Sequence, residues 1–341
     1  MPRQNRLVHE NGKSQMDIIL QKIRSARKIW LSTHKNADGD GLGSEMAFFH
    51  ALQSISKDVH VFHNDEAPRR YSFLTDQVQV HTPEEKISLH ENDLAIIFDT
   101  HDPALCSPFF ELLQKNKVTT LFIDHHVPIR PPLENVFDLI DENACCTGEI
   151  VFELIQMMGI QIDPKMATAL YASLLFDTQN FKFIRNSSKP FEMAAQLLKL
   201  GANHLLIQKN IFDNWSVNKM NFLSLLIRNV DYRDDQKIAL IRIGRKNLND
   251  FSLSSDDVSD FVDLFMAIQS LEVAVVIREE NKDDYKLSFR SRTHEVLSWA
   301  QSFNGGGHLY SSGAWVNESE ANIMARLDSL ILSQHQKKLS S

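Results

Sequence analysis

Residues 118–128 read VTTLFIDHHVP. The apolar, β-branched run at 118–122 predicts a parallel strand buried on both faces. Where it stops, Asp124, His125 and His126 emerge together. In open α/β sheets, ligands gather just beyond the carboxyl ends of such strands. A carboxylate and two imidazoles released there suit a metal site, with one group binding and its neighbours orienting it. Taken alone, the triple fits a turn-exposed polar cluster equally well.

The chain has 341 residues, 43% hydrophobic and 23% charged, which is the composition of a globular protein with room for two domains. A formal net charge of −8 argues against a broad basic nucleic-acid surface. It leaves room for an anionic substrate, because bound cations supply positive charge locally. Cys106, Cys145 and Cys146 form no C-x-x-C pair and no even framework, so structural thiols in a reducing compartment are expected. The opening MPRQNRLVHENGKSQ lacks the apolar core of a signal peptide, and no apolar run approaches the ~18 residues of a membrane span. The expectation is a cytoplasmic protein without a membrane partner.

Upstream of the quoted run, residues 16–25 have apolar spacing that predicts a helix, and 28–33 (KIWLST) a short strand. HKNADGDGLGS follows at 34–44. Here His34, Asp38 and Asp40 are expected on a loop threaded by Gly39, Gly41 and Gly43, with a helix beginning at Ser44. Mixed imidazole and carboxylate donors point to Mn2+ or a similar first-row ion; an Asp-Gly turn is the plainer reading. Residues 94–98 (LAIIF) form another buried-strand pattern. It ends in Asp99, placed on its strand as Asp124 is on the next. His101 and Asp102, further into the loop, read as supporting or solvated groups. His60, His63, His81 and His90 have no acidic companion at a strand end and read as surface residues.

Downstream, Pro128, Pro131 and Pro132 predict an extended connection. Thr147 is a candidate N-cap for a helix at 149–158. Residues 166–176 (MATALYASLLF) predict a buried helix that delivers Asp177. Four apolar elements in an apparent βαβ series thus end in Asp or His, a recurrence that solvated loop ends do not explain.

These motifs together resemble the DHH phosphoesterase superfamily. HKNADGDGLGS is similar to that family's H-x-x-P-D-G-D-A-L-G-S, Asp99 to its lone aspartate, Asp124-His125-His126 to its namesake motif, and Asp177-Thr178 to its fourth. LSFRSR at 287–292, FNGGGH at 303–308 and SSGAWV at 311–316 resemble the DHH-associated domain of the nanoRNase and pAp-phosphatase branch. The chain departs from the pattern at Ala37 (usually Pro), Gly41 (Ala), Phe176 (Thr), Gln179 (Gly) and Asn304 (the first of four glycines). None of these removes a candidate ligand, and Gln179 and Asn304 bear on substrate preference.

The expected fold is α/β. A catalytic domain at 1–190 carries a mostly parallel sheet flanked by helices, 191–230 is a helical connector, and 231–341 is a smaller α+β domain. A helix is predicted at 187–201, with Pro190 in its first turn and Gly201 as its stop. Gly305-Gly306-Gly307-His308 alone reads as a flexible turn; beside Arg290 and the resemblance, it reads as an anion grip. Phe303, Tyr310 and Trp315 could stack on a base, with buried core as the first reading.

The resemblance implies one metal ion on His34, Asp38 and Asp99, and a second on Asp40, Asp99, His125 and Asp177, with Asp99 bridging. Mn2+ is the first expectation, with Mg2+ and Co2+ as alternatives. Asp124 would orient a histidine, and His126 would contact the scissile phosphate. Arg290, Gly305, Gly306, Gly307 and His308 would grip the far end of the substrate as the second domain closes. The implied substrates are short oligoribonucleotides, down to dinucleotides, and pAp. The alternatives are a cyclic-dinucleotide phosphodiesterase, a manganese pyrophosphatase and a non-catalytic nucleotide-binding protein. A homodimer would be in keeping with the family, although no interface stripe stands out.

Overall fold

The computed structural model describes residues 15–127, 130–184, 187–259 and 261–339. The expectation for Pro128 falls outside the described residues. The chain forms two compact units that divide between Asn214 and Trp215.

The first unit is built on six strands: β1 (Ile29–Thr33), β2 (Val59–Phe62), β3 (Val80–His81), β4 (Leu94–Phe98), β5 (Thr119–Asp124) and β6 (Val136–Ile140). They lie in the order β3-β2-β1-β4-β5-β6, and every neighbouring pair is parallel. Both faces are covered, so alternate residues of one strand enter different cores. Ile29 and Leu31 join one hydrophobic cluster with the flanking helices, while Trp30 joins another with Phe62, Phe109 and Phe122. Double burial is why these strands read as continuous apolar runs rather than alternating ones. β3 and β6 had no such signal. β3 has two residues, and β6 is mostly half-buried with Asp138 at its centre.

The strand order reverses between β1 and β4, which opens the crevice where ligands bind in open α/β sheets. His34 follows β1 and Asp99 follows β4, so the two flank the reversal.

The glycine-rich motif corrects one expectation. Only its first part, residues 34–38, is a loop: the helix begins at Gly39 rather than Ser44 and runs Gly39–Ser54, with Asp38 as its N-cap. A Cβ on Gly41 would stand 2.3 Å from Thr33 Oγ1, and one on Gly43 would stand 2.5 Å from the Ala169 carbonyl oxygen. The glycines let this helix press against β1 and the helix Pro164–Asp177, and that packing overrides their poor helix propensity.

Helices Lys189–Lys199 and His204–Ile207 belong to the first core through Met193, Leu197 and Ile207. The helix Val217–Arg228 packs in the second unit through Phe222 and Leu226. That unit's sheet comprises β7 (Asp231–Arg233), β8 (Ile238–Ile243), β9 (Val273–Asn281), β10 (Asp284–Ser291), β11 (Gly306–His308) and β12 (Ser311–Asn317). Its order is β11-β12-β10-β9-β8-β7, antiparallel except for the β8–β9 pair. The glycine run therefore supplies an edge strand rather than a flexible turn. Gly305 and Gly307 have no room for a Cβ against β12, where it would fall 2.1 Å from Gly313 O and 2.7 Å from Ser311 O.

Candidate metal centre

Each motif leaves its element where the crevice opens. Asp99, the residue after β4, takes a left-handed backbone (φ 61°) that turns the chain off the strand. Non-glycine residues hold such conformations where the surroundings fix them, often at functional sites. Its N–H donates to Ile123 O at 2.9 Å, and its side chain is buried. Asp38 caps its helix, accepting from the N–H groups of Asp40 (2.9 Å) and Gly41 (3.2 Å). Asp177 is the last residue of the helix Pro164–Asp177.

The six expected metal ligands converge. His34, Asp38 and Asp99 form one group of donors, and Asp40, His125 and Asp177 another, each with its ligand atoms within 4.8 Å of one another. A third grouping joins Asp99 and His125 with His126. His34 Nδ1 lies 2.8 Å from the Lys35 carbonyl, which directs Nε2 toward Asp99 Oδ2 at 3.5 Å and Asp38 Oδ2 at 3.9 Å. His125 Nδ1 lies 3.3 Å from Ala144 O. Its Nε2 faces Asp177 at 3.5 Å, Asp40 at 3.7 Å and Asp99 at 3.8 Å.

Asp124 does different work. Its Oδ2 lies 2.5 Å from His101 Nδ1, and its Oδ1 lies 2.7 Å from His126 Nδ1. Oδ1 also accepts the N–H groups of His125 (2.7 Å) and His126 (3.2 Å). Burial works against its charge, but the hydrogen bonds from His101 and His126 outweigh burial and hold its carboxyl well below the usual range. Burial likewise works against a charge on His126, and the bond to Asp124 overrides it, raising the imidazole's pKa. On His125 burial wins, and its pKa is lowered.

Cation ligation fits these side chains. Among the described residues, buried His125 Nε2 has no hydrogen-bond partner, although three carboxylates stand within 4 Å of it. Asp99 has its pKa pushed up by burial, then by Asp40, Asp38, Asp124 and Asp177. A neutral imidazole nitrogen facing crowded carboxylates is the donor set that a first-row divalent ion takes.

Several supporting residues had no sequence signal for this role. Thr147, expected as an N-cap, is the first residue of the helix Thr147–Met157. Its N–H donates to Asp40 Oδ2 at 2.8 Å, and its hydroxyl donates to Asp99 Oδ1 at 3.1 Å. Ser173 donates to Asp40 Oδ1 at 2.5 Å. His101 belongs to the site as the partner of Asp124. His63, expected at the surface, is buried against Glu45 at 2.7 Å. His60 and His81 pair with Asp58 and Glu85, each at 2.9 Å or less.

In the second unit, Arg290 Nε donates to Asp263 Oδ1 at 2.8 Å, so a carboxylate already orients this guanidinium. Gly306 is open: a Cβ there would meet nothing within 4 Å. The side chain of His308 falls outside the described residues. Phe303 is buried as expected for core, but Tyr310 and Trp315 are exposed.

An open parallel sheet with acidic and imidazole donors at its switch point is the scaffold of a metal-assisted phosphoesterase. Residues 28–174 match the N-terminal domain of the DHH family. Among the chain's relatives is the bifunctional oligoribonuclease and PAP phosphatase NrnA of Mycoplasma pneumoniae, 25% identical, with 94% of this chain and 96% of that protein covered. The cyclic-di-AMP phosphodiesterase GdpP of Bacillus subtilis is 25% identical over 90% of this chain and 48% of its own length. The crystal structure of an exopolyphosphatase-related protein from Bacteroides fragilis shares the fold, with a TM-score of 0.86 at 22% identity, covering 96% of this chain and 97% of that one.

Proposed function

We propose that this protein hydrolyses short oligoribonucleotides, down to dinucleotides, to mononucleotides, and removes the 3′-phosphate of pAp. The observation that carries the reading is the pair of donor groups built on His34, Asp38, Asp99 and on Asp40, His125, Asp177. They would hold two divalent ions, Mn2+ foremost, with Asp99 between them. Ions so bound supply charge neutralisation on phosphoryl oxygens and acidify a water for in-line attack.

The side chains do the rest. His34 and His125 keep their Nε2 atoms aimed inward because backbone carbonyls engage their Nδ1 atoms. Asp124 is committed to His101 and His126, so it serves as the anchor that fixes His126 against a phosphoryl oxygen. The bond to Asp124 raises the pKa of His126, a shift toward the cationic form that stabilises developing negative charge. Gly305, Gly306, Gly307, His308 and Arg290 serve the distal nucleotide, with Arg290 held in place by Asp263.

A second reading is a cyclic-dinucleotide phosphodiesterase, which the likeness to the GdpP protein supports over nearly the whole chain. Hydrolysis with Mn2+ of an RNA dinucleotide, pAp, cyclic di-AMP and pyrophosphate separates the cases. The dinucleotide or pAp is expected to turn over fastest. Cyclic di-AMP as the clear best substrate would replace the first reading with the second.

A further inference from the structure

At the edge of the first sheet, two histidines meet over one indole. His60 of β2 lies directly across the ladder from Trp30 of β1, and His81 ends β3. The buried Trp30 lies against both imidazoles, with ring centroids 4.8 Å from His60 and 5.5 Å from His81. His60 Nε2 lies 2.9 Å from Asp58 Oδ1, and His81 Nδ1 lies 2.7 Å from Glu85 Oε2. The two remaining nitrogens, His60 Nδ1 and His81 Nε2, face each other at 3.4 Å. None of these residues belongs to the donor groups at the crevice.

The arrangement is one cation short. An ionised carboxylate only accepts, so His60 Nε2 and His81 Nδ1 carry the N–H groups that donate to Asp58 and Glu85. With both rings neutral, the facing nitrogens present lone pair to lone pair. A shared proton or a bound metal ion removes that conflict, and the distance favours the metal. Zn–N bonds of about 2.0–2.1 Å at a tetrahedral angle hold two ligand nitrogens about 3.3–3.4 Å apart. A hydrogen bond from a nitrogen donor is shorter, about 2.9–3.0 Å. Charge points the same way: Asp58 and Glu85 together balance one divalent ion, whereas one proton leaves them in excess. An imidazole whose other nitrogen is held by a carboxylate is the common form of a metal-ligating histidine. The two side chains are 29% and 17% exposed, which lets waters complete a four-coordinate shell.

We propose that His60 and His81 bind one imidazole-preferring divalent ion, Zn2+ foremost, in a site separate from the paired donor groups, with Asp58 and Glu85 orienting the two rings. Two imidazole donors without a carboxylate in contact select Zn2+, Ni2+ or Cu2+ over Mn2+ or Mg2+. The ion would bridge β2 to the two-residue edge strand β3. It is independent of which phosphoester the protein cleaves.

The test is equilibrium dialysis of the full-length, Mn2+-loaded protein against Zn2+, followed by measurement of bound zinc per chain. Wild type should bind one equivalent more than His60→Gln or His81→Gln at the same free Zn2+. Exchange of Zn2+ into the groups built on Asp99 adds equally to all three proteins and leaves that difference unchanged. Asp58→Asn, which keeps both ligands, should weaken the extra equivalent by about 10- to 100-fold. Near-ultraviolet circular dichroism matching wild type shows that each variant is folded, and Asp58→Asn still decides the matter where a histidine variant is not. Equal zinc content in wild type and both folded histidine variants overturns the site and leaves a shared proton between the rings. Wild-type zinc affinity in Asp58→Asn overturns the assigned role of the carboxylate.

Discussion

The Nε2 atom of His125 lies 3.5 Å from an Asp177 carboxylate oxygen and is buried without a hydrogen bond among the described residues. One residue follows a strand, the other ends a helix, and the fold brings them together at the mouth of the crevice. Leaving such a nitrogen unsatisfied costs about 1–3 kcal/mol. A cation between them removes that cost. Mn2+ should therefore stabilise the protein, by about 2.7 kcal/mol at a hundredfold excess over Kd. Thermal unfolding with and without Mn2+ measures this, and His125→Ala should lose most of the shift.

The metal-free protein should lose stability as pH rises. Burial and the surrounding carboxylates raise the pKa of Asp99 in the fold, whereas the unfolded chain releases that proton near pH ~4. Between those two values the folded state holds a proton that the unfolded state has lost, so stability falls with increasing pH. Melting of chelator-treated wild type and Asp99→Asn from about pH 5 to 9 should show a downward slope in wild type that the variant reduces. Equal slopes would remove Asp99 as the source.

Ser173 and Thr147 hold the Asp40 carboxylate from two different helices. Removing the Ser173 hydroxyl takes the shortest hydrogen bond from Asp40 Oδ1 and leaves the longer ones from Ser44 and Gly148, both at 3.3 Å. Ser173→Ala should weaken metal binding by about 10- to 100-fold, the usual cost of losing a partner that orients a ligand. Metal titration reads this directly, and unchanged affinity would reduce Ser173 to a packing residue.

Both glycine-pattern departures, Gln179 and Asn304, take left-handed backbone (φ 47° and 60°). A residue with a Cβ pays roughly 1–2 kcal/mol there. Asn tolerates the conformation better than Gln does. Gln179→Gly should raise stability by about 1 kcal/mol, after allowing for the freedom glycine gains in the unfolded chain. Denaturant unfolding decides it.

The sequence made the first unit's architecture readable because its central strands are buried on both faces, and each ends in a chemically distinctive residue. β6 escaped notice because Asp138 interrupts its apolar pattern. The helical start at Gly39 was hidden as well, because local propensity argues against it and only contacts with Thr33, Ala169 and Phe176 explain it. At the site, ligands announced themselves through motifs, but their supports did not. Ser173 reaches Asp40 across 133 residues, and nothing in either local stretch records that contact. The burial of His63 is hidden for the same reason, since its partner Glu45 lies on a separate helix. The exposure of Trp315 depends on which side of the second sheet the helices cover, which alternation along β12 alone does not specify.

The central claim is that Asp99 joins two metal-binding groups in a phosphoesterase centre. Its most direct test is hydrolysis of an RNA dinucleotide by chelator-stripped protein, before and after Mn2+ is restored, beside Asp99→Ala. Stripped wild type should be inactive and Mn2+ should restore turnover, while Asp99→Ala stays folded and at least ~100-fold slower, the scale of losing a charge-stabilising contact. A folded Asp99→Ala protein turning over near the wild-type rate, or full activity without metal, would contradict it.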